Sequence, residues 1–267
     1  MTFIIGLLKK VYVKFGFDNQ RKRKLALRWL SAHKRGVSAS RINKLLQGIK
    51  KPQRYLEVGV QFGHTFEAVK ADLRVAVDPF PEFDIENVPR GTQVWAVDSD
   101  SFFGSYKGPK FSLIFIDGLH EAGQTYKDVV NSLNILEVGG IILIDDVWPS
   151  DEASSLPDEM ASVSAKEEFG IKHWNWFGDV YKVVGAIRLF HPDLELKLIG
   201  SAQDKIQAVV WRKFPAKDDA LSVQPEALDQ ISNWTYADFF GSKPFRFDSS
   251  SDSDAEIIVD AISSRRF

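Results

Sequence analysis

The chain has no cysteine. Disulfides, thiolate nucleophiles and cysteine-ligated zinc or iron–sulfur sites are therefore excluded, and the composition is compatible with a reducing cytoplasm. No apolar run reaches the length of a membrane span. The opening apolar stretch Phe3 to Leu8 precedes its lysines and is followed by no small-residue cleavage site, the wrong order for a secretory signal. Internal repeats are absent too. Acids are scarce at the start: Met1 to Arg54 holds 15 Lys or Arg against the single acid Asp18, leaving 19 basic and 35 acidic residues for the remainder. A basic arm thus precedes an acidic body, and the two nearly cancel to a net charge of −2. Such an arm is either a solvated helical face or an attraction to anionic lipid, nucleic acid or an acidic partner. Phe3, Ile4, Ile5, Leu7, Leu8, Val11 and Tyr12 would suit a short amphipathic anchor, giving a cytoplasmic protein with peripheral contact at the inner membrane surface.

What is present is an ordinary globular composition, 267 residues with 44% hydrophobic and 26% charged. That length accommodates one large α/β domain with extensions. A helical pattern spans Arg21 to Ile49 and stops at Pro52. Strands and helices then alternate. Strands are expected at Arg54–Val60, Val75–Val77, Gln93–Val97, Phe111–Ile116 and Ile141–Ile144, with helices at Thr65–Val69 and Tyr126–Leu136. This order implies a mostly parallel sheet covered on both faces. Trp148 to Lys166 is expected to be a polar lid or substrate loop, and Asp179–Phe190 a helix. Leu194–Ile199 and Ile206–Trp211 should form an antiparallel hairpin. No firm pattern follows Phe214, and Ser249–Glu256 has the acidic low complexity of a mobile tail. The expected organisation is a basic helical extension over 1–51, a catalytic domain over 52–213 and a partly mobile extension over 214–267.

The most informative stretch is Tyr55-Leu56-Glu57-Val58-Gly59-Val60-Gln61-Phe62-Gly63. A strand feeds a glycine turn and then a helix, the place where open α/β sheets bind ligands. Glycine lets backbone pass close to a ligand. Asp78 follows Gly59 by nineteen positions, at the end of the next strand, where a carboxylate can accept both hydroxyl hydrogens of a ribose. The stretch lacks the G-x-G-x-x-G of dinucleotide enzymes, and Glu57 would disfavour a pyrophosphate. Two further strand ends carry acids: Ile116-Asp117-Gly118-Leu119-His120 and Ile144-Asp145-Asp146. Neighbouring strands lie about 5 Å apart, so these carboxylates would converge and need a positive partner, for which a divalent cation with oxygen ligands is suited.

The sequence resembles class I S-adenosylmethionine-dependent methyltransferases through E-x-G-x-x-x-G, and their metal-dependent small-molecule O-methyltransferase branch through I-D-G-x-H with D-D. The resemblance implies a Rossmann-like methyltransferase fold with a mostly parallel seven-stranded sheet, an antiparallel hairpin at one edge and helices on both faces. It implies S-adenosylmethionine held by Glu57, Gly59, Gly63 and Asp78, with Asp98 and Ser99 near the adenine and Asp117 bordering the cofactor. Asp117, Asp145 and Asp146 would bind a divalent metal, Mg²⁺ by preference, and His120 would take the acceptor's proton. The branch often has an aromatic two residues after the histidine, where this chain has Ala122. Trp174, Trp176 and Phe177 are either an aromatic wall for a ring-shaped acceptor or buried core. Asp179 and Lys182 match a stretch that suggests substrate contacts, and His64 borders the cofactor loop. The implied acceptor is a small hydroxylated molecule such as a sugar or phenol, with no nucleic acid expected. Two alternatives remain: a nicotinamide-dependent oxidoreductase on a similar sheet, and a non-catalytic Rossmann-like binding module.

Overall fold

The computed structural model describes residues 36–50, 52–173, 175–200, 205–213, 219–241 and 249–250. The basic arm before residue 36, with its anchor at Phe3–Tyr12, lies outside them, as do Trp174 and most of the acidic stretch at 249–256. Helix α1 (Val37–Gln47) leads into β1 (Arg54–Val58), α2 (His64–Ala68), β2 (Leu73–Val77) and β3 (Thr92–Trp95). Then come α3 (Ser99–Ser105), β4 (Phe111–Ile116), α4 (Ala122–Asn134) and β5 (Leu136–Ile144). After them run α5 (Glu159–Glu168), α6 (Tyr181–Phe190), β6 (Leu194–Ile199), β7 (Gln207–Arg212), α7 (Pro225–Asn233) and α8 (Tyr236–Phe240).

The sheet has the order β3-β2-β1-β4-β5-β7-β6, and a two-residue strand β8 (Ser249–Ser250) adds to β6. β1 to β5 are parallel, while β7 runs antiparallel to both β5 and β6, giving the expected hairpin. This is a Rossmann-like architecture with the expected antiparallel edge. Both faces are covered, which explains why the central strands are unbroken apolar runs. Alternate residues go to opposite sides. Leu56, Val58, Ile114, Ile116, Ile142 and Ile144 join Val129 of α4, Val183 of α6 and Ile231 of α7 in one core. Tyr55, Leu113, Phe115, Ile141 and Leu143 meet Ile42, Leu45 and Leu46 of α1 and Phe66 of α2 in the other. The compact unit accordingly starts at Val37.

Two sequence expectations need correction. The segment expected to be a loop between Trp148 and Lys166 contains a short 3-10 turn at Ala153–Ser155 and most of α5, with Ser154, Ser162 and Lys166 buried. Asp158 starts α5 by accepting from the Ala161 amide at 2.7 Å, a cap that satisfies one otherwise unpaired helix donor. Beyond Phe214, where no pattern was expected, α7 and α8 pack Ala227, Ile231, Trp234 and Phe239 into the core. Pro225 opens α7 and a Thr235–Asp238 capping box opens α8.

On this face Tyr126 of α4 bonds Nε2 of the buried His191 at 2.8 Å, while its hydroxyl also receives the Gln224 amide. Burial holds the His191 imidazole below its ordinary pKa of 6.5. A base depressed in the folded state is protonated first in the unfolded chain, so stability falls as pH drops below that ordinary value. Comparing native protein with His191→Gln by thermal melts at pH 7 and 5 should show a smaller acid loss in the variant. An equal loss would place the acid-sensitive group elsewhere.

Candidate active site

Strand register brings the site together. Val58 pairs with both Val77 and Ile116, and Ile116 pairs with Ile144. Gly59, Asp78, Asp117 and Asp145 are therefore each the first residue beyond a strand, lined along one edge of the sheet. The ladder extends one step past the strands: Gly59 N donates to Val77 O at 2.8 Å, Asp117 N to Val58 O at 2.9 Å and Asp145 N to Ile116 O at 3.0 Å. The order reverses between β1 and β4, and ligands of open α/β sheets bind at such a switch point.

The glycine loop leaves β1 here. Gly59 has φ +85° and Gly63 φ +76°. A Cβ on Gly59 would lie 2.0 Å from the Asp117 carbonyl oxygen, so the neighbouring β4 loop itself requires this glycine. At Gly63 a Cβ would press on the Phe83 ring at 3.1 Å. Asp78 braces the loop, accepting from the amides of Val60 at 3.0 Å and Gln61 at 2.8 Å through one oxygen and from Phe80 at 2.8 Å through the other. Glu57 is buried beneath the loop and accepts from the Tyr55 hydroxyl. Burial pushes its carboxyl well above the usual range, with the Tyr55 bond opposing.

Across the switch point His120 Nε2 lies 3.0 Å from an Asp146 oxygen and 3.5 Å from an Asp117 oxygen. Burial pulls the imidazole pKa down, but Asp146, Asp117 and Asp145 outweigh it and raise it to about 9. Asp146 is pushed to about 7 by burial against the pull of Lys205. Both residues take a left-handed backbone, φ +53° and +58°, as does Gln61 at +45°. Such conformations in side-chain-bearing residues cluster at functional sites. The Trp176 ring covers His120 at a centroid distance of 4.7 Å and donates its N–H to Leu156 O at 2.7 Å. Gly178, at φ +59°, abuts the His120 carbonyl so closely that a Cβ would sit 1.8 Å from it.

Asp145 is not part of this cluster. Ile144 faces the α4 core, so the next side chain turns to the α1 face, and the left-handed turn at Asp146 then brings its carboxylate toward His120. Asp145 consequently meets Lys205 and Ser38 on that face, while Asp146 reaches His120. The atoms of Asp117, His120 and Asp146 that could ligate a cation lie within 4.8 Å of one another. The grouping brought together is thus Asp117–His120–Asp146, in place of the expected Asp117–Asp145–Asp146. Lys205 had no sequence signal; it lies sixty positions from Asp145.

The remaining predicted residues have structural partners. Asp98 is exposed and caps α3 by accepting from the Ser101 amide at 2.7 Å. Ser99 receives the Gln124 amide at 3.2 Å beside buried Asp128, whose carboxyl burial raises to about 7. His64 stacks on Phe62. Asp179 and Lys182, expected to touch substrate, are tied up: Asp179 accepts from the first amide of α4, Ala122 N, at 2.7 Å and from Lys182 Nζ at 2.9 Å. Both are largely buried. Asp179→Ala should cost about 2–3 kcal/mol, because it strands a buried cation and a helix donor. Denaturant unfolding checks this; unchanged stability with a raised acceptor KM would restore the substrate role.

The glycine loop and the braced acid thus stand together at the switch point of the sheet. Residues 35–147 match a family described as "Methyltransferase domain". No curated protein matches the chain at a significant level. Among solved structures, the plantazolicin methyltransferase BpumL in complex with a pentazolic desmethylPZN analogue and SAH is 14% identical over 78% of this chain and 95% of its own, at a TM-score of 0.50. That likeness is one of fold. The O-methyltransferase from Bacillus cereus in complex with SAH is 16% identical over 77% of this chain and 96% of its own, at a TM-score of 0.44.

Proposed function

We propose that the chain is an S-adenosylmethionine-dependent methyltransferase that methylates a hydroxyl of a small acceptor such as a sugar or phenol. The observation that carries this reading is His120 Nε2 held 3.0 Å from Asp146 beside the glycine loop, in a chain whose residues 35–147 match a methyltransferase domain. A sulfonium supplies its own reactivity, so the protein has to orient the acceptor oxygen and manage one proton. Glu57, Gly59, Gly63 and Asp78 form the cofactor cradle. His120 Nε2 takes the acceptor's proton as it passes its own to the Asp146 carboxylate 3.0 Å away, and Trp176 shields the imidazole face from water.

Asp117 and Asp146 fit a divalent cation bound through two carboxylates, a common arrangement for Mg²⁺, and their nearest oxygens lie within 4.8 Å of each other and of His120 Nε2. When bound there, the cation would lower the hydroxyl's pKa. Calorimetry with S-adenosylmethionine and with NAD tests the cofactor, and labelled methyl transfer to a panel of sugars and phenols, with and without Mg²⁺, tests the reaction. Binding of NAD in preference to S-adenosylmethionine would overturn the reading in favour of a nicotinamide enzyme.

A further inference from the structure

The acidic mouth contains its own cation. Lys205, just before β7, pairs with Asp145 and stands 3.8 Å from Asp146 Oδ1. Its side chain is about a third exposed, whereas that of Asp145 is fully buried. The second Asp145 oxygen is taken by the Asp146 amide at 2.8 Å. Lys205 is pinned from behind. Arg41 of α1 donates to its carbonyl and, at 2.9 Å, to Gln207, which in turn donates to Ser38 at 2.9 Å. Ser38 Oγ closes the circuit at 3.5 Å from Asp145. Gly200 abuts the same carbonyl, where a Cβ would lie 2.2 Å away. A buried carboxylate needs a partner that satisfies its charge, and here helix α1 and strand β7 jointly deliver one.

We infer that Lys205 is a positioning residue and the resident counter-cation of this mouth: it withholds Asp145 from any metal's ligand set and weakens divalent-cation binding at Asp117 and Asp146. The inference rests on the methyltransferase reading of the site. An ammonium this near a carboxylate competes with a cation for it, and its removal frees two carboxylates at once.

The test is Mn²⁺ binding to the full chain, followed by the electron paramagnetic resonance signal of free Mn²⁺. Lys205→Met should bind Mn²⁺ about tenfold tighter than native protein or better, and Lys205→Arg should stay near the native value. Binding by Lys205→Met no tighter than native overturns the inference. Should Lys205→Met fail to fold by circular dichroism, Asp145→Asn decides: affinity within about threefold of native agrees with Asp145 lying outside the ligand set, and a larger loss overturns it. S-adenosylmethionine binding measured alongside separates the two levels. Native protein that binds none sinks the proposed function, while the Mn²⁺ comparison still settles the part played by Lys205.

Discussion

Replacing His120 by alanine should slow methyl transfer roughly 10²- to 10⁴-fold, the usual contribution of a positioned proton acceptor, while S-adenosylmethionine affinity stays within about twofold of native. Nε2 is the atom that faces Asp146 and Asp117, and no other imidazole joins that cluster among the described residues. The proposed cofactor cradle is built from the ends of β1 and β2, so truncating a side chain on the β4 loop should leave its contacts in place. His120→Asn makes the control for backbone effects, because asparagine tolerates the left-handed conformation that His120 adopts. Single-turnover rates with bound cofactor are the measurement. A loss below about tenfold in both variants would remove proton transfer by His120 from the mechanism.

The second large effect is on folding. Gly59→Ala should lower stability by about 3–5 kcal/mol, combining a left-handed alanine with a backbone collision that forces two loops apart. For a chain of this size that corresponds to a fall of about 10 °C or more in Tm. The collision is with the Asp117 carbonyl at 2.0 Å, and backbone cannot rotate away as a side chain can. Gly63→Ala meets only the Phe83 ring at 3.1 Å and should cost about 1–2 kcal/mol. Thermal melts of the two variants rank them. A Gly59→Ala protein that keeps its Tm and loses only cofactor binding would return the glycine's role to the ligand.

Much of the sheet was legible because its strands are apolar on both faces and end in a change of chemistry. Phe111–Ile116 and Leu194–Ile199 fall where the sequence places them, since an acid or glycine punctuates each. The C-terminal helices escaped notice although Pro225 and the Thr235–Asp238 box mark their starts; their apolar residues are few and spaced among polar ones. In the site, residue type was legible but direction was not. Asp145 and Asp146 are adjacent, yet Asp145 pairs with Lys205 while Asp146 lies between Lys205 and His120, a division that the bare D-D pair does not reveal. Asp98 and Asp179 cap helices α3 and α4, bonds that a carboxylate's one-letter code does not announce. Lys205 was beyond reach of any local pattern, because only the β5–β7 pairing brings it to Asp145.

Gln61, His120 and Asp146 each hold a left-handed backbone that costs a side-chain-bearing residue about 1–2 kcal/mol. Glycine would be relaxed in all three places. A mutant library selected only for resistance to heat should therefore enrich glycine at 61, while at 120 and 146 the loss of the His120–Asp146 contact opposes the same gain.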